Sequence, residues 1–369
     1  MKMAEKHLLV AAAGTGGHVM PGLAVAREMR RRGWKITWIG TIKGMEGNLV
    51  RKDGIDFIAL DFHGVRGKSN IGTIIGAIKL ILASFRCKKL VRELNPTVFF
   101  TTGGYISVPV SRGVEKHRVK SVLMNCDADL LMSTRMLLQK AWGVACGFAG
   151  SARSAAGAKG VLTGNPVRAD IAAIEPPEKR LSGREGKIKL LVFGGSLGAK
   201  VLNETLPKAL ALFDEACRPE VTHQCGVKAV DEVKALYARA GVKANVVGFI
   251  DDMAAAYSES DLVICRAGAT SVAELCAAGA ASVLVPFVAS TTSHQKGNAQ
   301  YMVGNGAGIM IEQGQLTPEH LFGTLMTLKR EKIMEMAVAA RSISRSDAAI
   351  RVCDLIERVS ELKTRPSCK

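Results

Sequence analysis

The chain has 369 residues, of which 48% are apolar, so it is long enough for two domains with separate cores and is not a disordered chain. Its nine cysteines are scattered without a Cys-x-x-Cys pair, which argues against a disulfide framework or a zinc site and indicates a reducing compartment. The formal net charge of +17 lies almost entirely in residues 1–165, which hold 25 Lys and Arg against 10 Asp and Glu.

This one-sided charge favours contact with an anionic membrane surface or another polyanion, with a solubilising surface charge as the alternative. The first residues do not form a secretory signal, and no apolar run reaches the ~20 residues that span a bilayer. We therefore expect a soluble, globular protein without a membrane-spanning segment.

Apolar runs typical of buried strands alternate with helical stretches along the first half of the chain. Strands are predicted near 7–13, 35–39, 56–61, 97–101, 121–125, 143–147 and 160–163. This alternation predicts a doubly wound parallel sheet with helices on both faces, and ligands bind such sheets at the carboxyl ends of the strands.

The first strand runs into a glycine-rich loop, Gly14-Thr15-Gly16-Gly17-His18. It is not a dinucleotide fingerprint, because Val19 stands where the third glycine would fall and the second strand ends in Gly40-Thr41 without an acidic residue. NAD is therefore excluded. His18 is a candidate base or hydroxyl partner, and a capping or packing role is the alternative.

A second glycine turn, Thr102-Gly103-Gly104-Tyr105, follows the fourth strand and is expected at the same sheet edge, where the two turns would form an anion-binding pocket. Residues 71–85 between them are apolar almost all round and are flanked by lysine and arginine. This stretch is interpreted as a helix in a membrane interface, with a closely packed core helix as the alternative.

The second half repeats the pattern after a Pro-rich, charged stretch at 175–187 that predicts a linker. Strands are predicted near 188–193, 220–224, 245–248, 261–265, 281–285 and 308–311. Its first strand enters Gly194-Gly195-Ser196-Leu197-Gly198, an echo of the first loop, and a helix start there suits phosphate. A plain β–α turn is the alternative.

Further candidates follow the later strands of this half. Thr270 can cap a helix or hold phosphate oxygens, and Glu274 can accept both hydroxyls of a ribose or serve only as a first-turn acid. His294, Gln295 and Asn298 are side chains suited to sugar hydroxyls.

Taken together and in this order, these motifs resemble the MurG family, the transferases that add N-acetylglucosamine (GlcNAc) to lipid I in peptidoglycan synthesis. Gly164-Asn165-Pro166-Val167-Arg168 and Phe249-Ile250-Asp251-Asp252-Met253 belong to the same pattern. The resemblance covers nearly the whole chain. It implies an α/β GT-B fold, in which two Rossmann-like doubly wound parallel-sheet domains face each other across a cleft.

The resemblance implies an N-terminal acceptor and membrane domain at 1–166, a linker at 167–187 and a donor domain at 188–346, with a helix near 347–360 returning to the first domain. It implies UDP-GlcNAc and lipid I as substrates, an anionic inner-membrane surface as partner, action at its cytoplasmic face, and neither nucleic acid, metal nor cofactor. The residues that would bind UDP-GlcNAc are Thr15, Gly16, Gly17, Arg168, Ser196, Ile250, Ala269, Thr270, Glu274, His294, Gln295 and Asn298. The residues that would bind the acceptor are Gly14, His18, Gly103, Gly104, Tyr105 and Asn125.

One departure from the family pattern concerns the expected catalytic machinery. The family usually has His-Glu-Gln-Asn after the fifth strand, where this chain has Met124-Asn125-Cys126-Asp127. The reaction would invert the anomeric centre, with His18 as the first candidate for the base and Asp127 as the second.

Three other functions are compatible with parts of the sequence. The G-x-S-x-G pattern around Ser196, followed by Asp251 or Asp261 and then His294, fits a serine hydrolase. A UDP-sugar epimerase of the same fold and a nucleotide-sugar binder without activity are the other two.

Overall fold

The computed structural model describes residues 5–14, 16–42, 44–62, 70–195, 198–287 and 294–366. Thr15 and Ser196, both predicted to bind the donor, lie outside the described residues. The chain divides into two compact units: unit 1 is Met1–Pro166 with Ser346–Lys369, and unit 2 is Val167–Arg345.

The described part of unit 1 contains a seven-stranded parallel sheet in the order β3-β2-β1-β4-β5-β6-β7. The strands are β1 (His7–Ala11), β2 (Lys35–Thr41), β3 (Asp56–Leu60), β4 (Val98–Thr101), β5 (Lys120–Asn125), β6 (Gly143–Cys146) and β7 (Gly160–Leu162). The helices are α1 (Gly16–Arg31), α2 (Glu46–Lys52), α3 (Asn70–Leu94), α4 (Ser107–Lys116), α5 (Met132–Leu137), α6 (Ser151–Ala156) and, from the later part of the chain, α16 (Ala348–Glu361). A 3-10 turn, Leu138–Lys140, continues α5.

Helices cover both faces of this sheet, which explains why its central strands are continuous apolar runs. Leu8, Leu9 and Val10 of β1 are fully buried. From β1 the chain first adds strands on one side of β1, as β2 and β3, and then on the other side, from β4 onward. Because crossovers between parallel strands are right-handed, α1 and α2 lie on one face of the sheet and α3, α4 and α5 on the other.

The described part of unit 2 contains a six-stranded parallel sheet in the order β10-β9-β8-β11-β12-β13. The strands are β8 (Lys189–Phe193), β9 (Glu220–Gln224), β10 (Asn245–Val247), β11 (Leu262–Cys265), β12 (Ala281–Leu284) and β13 (Gly308–Met310). The helices are α7 (Ala169–Ala172), α8 (Pro177–Arg180), α9 (Lys200–Ala211), α10 (Val230–Arg239), α11 (Met253–Glu259), α12 (Ala269–Ala278), α13 (His294–Gly304), α14 (Pro318–Thr327) and α15 (Arg330–Ser342). Every predicted strand is present, and the predicted pair of doubly wound parallel sheets is confirmed.

The segment 167–187, predicted as a linker, is instead part of unit 2 and contains α7 and α8. Arg180 donates hydrogen bonds to the carbonyl oxygens of Gly279 at 2.8 Å and Ser260 at 3.2 Å. Because this arginine pairs with carbonyl groups at the ends of α11 and α12, the charged stretch is fixed to the unit.

Helix α16 packs in unit 1, against α1 and strands β4 to β6. Val352, Cys353 and Ile356 on its apolar face are fully buried. Arg32 of α1 forms ion pairs with Asp354 at 2.8 Å and Glu357 at 2.6 Å, which hold the two helices together.

Helix α3 covers the apolar stretch 71–85, and the structure describes its side chains at 76 and from 78 onward. One side of the helix packs on α4, where Cys87 and Val91 are buried. The other side exposes a stripe at helical spacing: Ile78, Ile81, Leu82 and Phe85 are 50 to 61% exposed. The helix thus combines a packed side with an open apolar side. Among the residues whose placement is described, no helix has both the length and the apolar character needed to span a bilayer.

Candidate active site

The two predicted glycine turns of unit 1 meet where β1 and β4 end. Gly14, Gly103 and Gly104 have φ angles of +107°, +97° and +78°, which residues with a side chain rarely adopt. A Cβ on Gly14 would stand 3.9 Å from the Tyr105 ring, and one on Gly104 would stand 3.0 Å from the Ala13 carbonyl oxygen. The turns therefore form one site, and Gly16 and Gly17 begin α1 beside it.

His18, in the first turn of α1, has its tautomer fixed by the second glycine turn. Its Nδ1–H donates to the Thr102 carbonyl at 2.9 Å, and the Thr102 hydroxyl donates to the His18 carbonyl at 2.8 Å. Because a carbonyl oxygen can only accept, the proton is on Nδ1 and Nε2 carries the lone pair. Burial lowers the pKa of His18, while the bond to Thr102 and the charge of Asp127 act in the opposite direction. The imidazole is therefore neutral at pH 7 and can accept a proton at Nε2.

Asn125 stands at the end of β5 and is fully buried. Its Nδ2 donates to the carbonyl oxygens of Asp127 at 2.7 Å and Asp129 at 3.0 Å, and its Oδ1 accepts from the Leu131 amide at 3.0 Å. The Asn125 side chain therefore shapes the loop that carries Asp127. A carboxylate at this position could not donate to the two carbonyl groups.

The first turn of unit 2 places backbone N–H groups at the carboxyl end of β8. Gly195 and Gly198 have φ angles of +89° and +73°, and the Gly198 amide donates to the Gly195 carbonyl at 2.9 Å. A Cβ on Gly198 would overlap the carbonyl group of Cys225. Helix α9 then begins after Ala199 without a side-chain cap from a described residue, and its first-turn N–H groups have no partner inside the helix.

A second uncapped helix start lies at the end of β11. Gly268 is the N-cap of α12 and offers no side-chain hydrogen bond, so Ala269 and Thr270 lie in an open first turn. Asn298 is fully buried and donates to the Ala267 carbonyl at 3.0 Å, which ties α13 to this turn. The structure thus brings Asn298 to the predicted phosphate site.

The start of α13 is joined to the segment after β12. Gln295 Oε1 accepts from the Phe287 amide at 2.8 Å, and Nδ1 of His294 is buried without a hydrogen-bond partner among the described residues. The guanidinium of Arg266 lies 5.4 Å from the centre of the Phe287 ring and donates to the Val285 carbonyl. These polar and cationic groups gather at the carboxyl edge of β11 and β12.

Glu274 is the carboxylate among the predicted donor residues, and its half-buried side chain is held by two others. The Tyr257 hydroxyl donates to Oε2 at 3.2 Å, and Arg168 Nε lies 3.7 Å from Oε1. Burial raises the pKa of Glu274, and the charge of Arg168 and the bond from Tyr257 oppose that rise. Tyr257, which is fully buried on α11, is not predicted from the sequence, because no local pattern signals this contact.

Ile250 lies at the rim of a cavity of about 570 Å³ on the face of strands β8 to β10. Leu191, Thr222, Val247 and the 58% exposed Phe249 line it as well. The backbone there is anchored, since Gln224 Nε2 donates to the Gly248 carbonyl at 3.0 Å.

Comparison with known proteins places the chain in a family. Residues 8–145 match the glycosyltransferase family 28 N-terminal domain, and residues 189–352 match the glycosyltransferase family 28 C-terminal domain. A curated relative from Methylibium petroleiphilum is 49% identical over 97% of this chain and 98% of its own, and is named UDP-N-acetylglucosamine–N-acetylmuramyl-(pentapeptide) pyrophosphoryl-undecaprenol N-acetylglucosamine transferase. The solved structure of MurG from Acinetobacter baumannii is 33% identical, with a TM-score of 0.81 over 96% of this chain and 99% of that one.

The chain belongs to the MurG family. The predicted resemblance and the predicted GT-B fold are thereby confirmed. A solved UDP-N-acetylglucosamine 2-epimerase, 12% identical with a TM-score of 0.65 over 98% of this chain and 99% of its own, shares the fold alone. Membership of the MurG family makes the chain a glycosyltransferase.

The serine hydrolase alternative also fails on geometry for one of its two acids. Asp261 precedes β11, at the amino edge of the sheet, whereas position 196 follows the carboxyl end of β8. Asp261 is also engaged by Arg184 at 2.8 Å and Arg330 at 3.4 Å.

Proposed function

We propose that this chain transfers GlcNAc from UDP-GlcNAc to the 4-hydroxyl of MurNAc in lipid I, with inversion, and so makes lipid II for the peptidoglycan that underlies cell shape and division. The observation that carries the proposal is the half-buried Glu274 on α12 together with the two uncapped helix starts of unit 2. A nucleoside diphosphate sugar presents the hydroxyls and the phosphates that such groups bind. The transferase name of the relatives supports the same substrates.

In the proposed donor complex, Glu274 accepts the ribose hydroxyls, and the backbone of Ile250 faces the uracil. The first turns of α9 and α12, with Ser196, Ala269 and Thr270, hold the diphosphate, because their N–H groups lack partners within the helix. His294, Gln295 and Asn298 contact the sugar, and Thr15, Gly16 and Gly17 contribute from the first glycine turn.

In the proposed acceptor complex, the turns that contain Gly14, Gly103, Gly104 and Tyr105 receive the pyrophosphate and sugar of lipid I. His18 Nε2 takes the proton from the attacking 4-hydroxyl, because its tautomer leaves that nitrogen as an acceptor. Asp127 is the second candidate for the base, and its charge also favours the imidazolium that forms at His18. Asn125 positions the Asp127 loop.

The leaving UDP gains negative charge as the glycosidic bond breaks. Arg168 and Arg266 and the helix starts of unit 2 are the groups proposed to stabilise it. Preorganised donors of this kind typically contribute about 3–4 kcal/mol each to transition-state stabilisation. The proposed reaction uses no metal and no cofactor.

The proposed site of action is the cytoplasmic face of the inner membrane, to which the protein binds peripherally. Unit 1 holds 30 Lys and Arg against 14 Asp and Glu, whereas unit 2 holds 20 against 19. The exposed stripe of α3 lies on the basic unit, and Lys88 stands 4.9 Å from the Phe85 ring centre. Apolar side chains edged by cations are typical of a surface that enters the headgroup region of anionic bilayers.

The test is a turnover assay with UDP-GlcNAc and a lipid I analogue that has a shortened chain. We expect release of UDP together with a disaccharide product whose new linkage is β. Formation of UDP-N-acetylmannosamine without an acceptor would favour the epimerase alternative. UDP binding without turnover would favour a binding protein without activity.

A further inference from the structure

A contact within unit 1 joins the chain after β7 to the loop at 126–129, which follows β5 and carries Asp127. Each of the four carbonyl oxygens of this loop accepts a hydrogen bond. Asn125 Nδ2 donates to the second and the fourth, the Ala152 amide donates to the third at 3.1 Å, and Asn165 Nδ2 donates to the first at 2.8 Å. The backbone of the loop is therefore fixed from three separate places in unit 1.

Asn165 reaches this loop across an intervening strand. The sheet order places β6 between β5 and β7, and neighbouring strands lie about 4.8 Å apart. Gly147, which follows β6, leaves the path open, because a Cβ on Gly147 would overlap the amide group of Asn165. The φ angle of Gly147 lies outside the left-handed region, so the glycine is needed for this space and not for a turn.

The backbone that carries Asn165 is anchored at the end of β6. The amides of Thr163 and Gly164 donate to the Cys146 carbonyl at 3.0 and 3.2 Å. Pro166 follows Asn165 and restricts it to an extended conformation. The side chain therefore starts from a fixed point, and its direction toward the loop is set by the fold.

The amide group of Asn165 is buried, and the structure accounts for its donor but not for its acceptor. The residue is 4% exposed, and its Oδ1 has no hydrogen-bond partner among the described residues. A buried acceptor without a partner costs stability, and an apolar side chain of the same shape would avoid that cost. The hydrogen bond from Nδ2 to the Cys126 carbonyl is therefore what an amide contributes at this position.

We propose that Asn165 is a positioning residue for Asp127. It fixes the peptide group between Cys126 and Asp127, and so directs the Asp127 carboxylate toward His18. The proposal rests on the proposed function, in which Asp127 favours the imidazolium at His18 or is itself the base. Gly147 is the second part of this arrangement, since it leaves the space through which Asn165 reaches the loop.

The test uses two loop variants, Asn165→Leu and Gly147→Ala. Leucine has nearly the shape of asparagine but no donor, and alanine at 147 displaces the amide group. Each variant is expected to lower kcat about 10²-fold at an unchanged KM for UDP-GlcNAc, because a misplacement of about 1 Å costs a factor of that size. The control, Val91→Ala, removes two methyl groups from a buried side chain of unit 1, so it lowers the thermal midpoint but is expected to keep kcat.

Two further measurements separate positioning from a purely structural role. With His18 as the base, the acid limb of the kcat/KM profile follows the pKa of His18, which the charge of Asp127 raises. In both loop variants this limb is expected to move to lower pH, whereas Val91→Ala leaves it in place. Amide hydrogen exchange at residues 126–131 is expected to be faster in both loop variants and unchanged in Val91→Ala.

Three results would overturn the proposal: an unchanged kcat in a folded loop variant, an equal loss of kcat in Val91→Ala, or a rise in KM for UDP-GlcNAc that accounts for the whole loss of kcat/KM. Either loop variant decides alone where the other does not fold. A parent protein without turnover would refute the proposed function. In that case, faster exchange of the loop in the variants would still support the positioning role of Asn165, and equal exchange would overturn it.

Discussion

Replacing Asn125 by aspartate tests whether this residue supports the loop of Asp127. The substitution keeps the shape of the side chain and removes both N–H donors. Those donors satisfy two backbone carbonyl groups, at 2.7 and 3.0 Å, in a site where Asn125 is fully buried. The introduced carboxylate would face both oxygens without water.

The expected cost follows from these contacts. Losing the two hydrogen bonds of this fully buried donor gives a loss of about 3 kcal/mol in the free energy of unfolding of unit 1. For a unit of this size, that loss lowers the midpoint of thermal unfolding by about 6–12 °C. The deficit is expected to shrink as the pH falls, because burial raises the pKa of the new carboxyl and its protonated form can donate one bond.

Tryptophan fluorescence is the assay, because Trp34, Trp38 and Trp142 all lie in unit 1 and are the three tryptophans of the chain. Asn48→Asp, the same chemical change at an exposed position of unit 1, is the control and is expected to shift the midpoint little. An Asn125→Asp protein that unfolds at the parent's temperature would refute this account of the residue. So would an Asn125→Glu protein that gains both stability and activity.

Two other predictions concern the proposed reaction, and a third concerns the proposed membrane surface. His18→Gln is expected to lower kcat by about 10²–10⁴-fold with little change in the affinity for UDP. In the parent, activity is expected to persist as the pH falls through 6.5, because the pKa of His18 is lowered and the imidazole stays neutral. Tyr257→Phe removes one hydrogen bond to Glu274 and is expected to raise KM for UDP-GlcNAc about 2–10-fold at unchanged kcat. Leu82→Ser with Phe85→Ser is expected to reduce binding to phosphatidylglycerol vesicles in sedimentation while turnover of a water-soluble acceptor analogue is kept.

Each of these predictions has a control or an outcome that contradicts it. Unchanged turnover of His18→Gln would remove His18 as the base and favour Asp127. Tyr257→Phe is expected to raise KM less for a donor that lacks the ribose 2′-hydroxyl than for UDP-GlcNAc. An equal rise in KM for both donors would mean that Tyr257 acts only on folding. Val227→Ser, at a 72% exposed apolar residue of unit 2, is the control for the α3 stripe.

The sheets and the glycine turns could be predicted from the sequence because their signals are local. A parallel strand covered on both faces is a continuous apolar run, and Gly14, Gly103 and Gly198 mark backbone conformations that other residues rarely adopt. The edge on which the turns lie follows from the direction of parallel strands. The roles given to the site residues remain predictions.

The contacts that the sequence did not predict join residues distant in the chain. Tyr257 reaches Glu274 only because α11 packs beside α12, and Arg180 reaches Gly279 across 99 residues. From the sequence, Asn125 indicates only that an expected carboxylate is missing. Its three hydrogen bonds depend on the path of residues 127–131, which no local pattern predicts. Such pairings are set by packing and have no local pattern.

The place of α16 determines the order in which the units can be completed on the ribosome. Residues 167–345 form a continuous unit that can fold as soon as it has emerged. Unit 1 begins first, yet it lacks the helix that covers α1 and β4 to β6 until residues 348–361 are made. The nascent chain therefore carries an uncovered apolar face throughout synthesis of unit 2, which makes that interval the time when chaperones have most to bind.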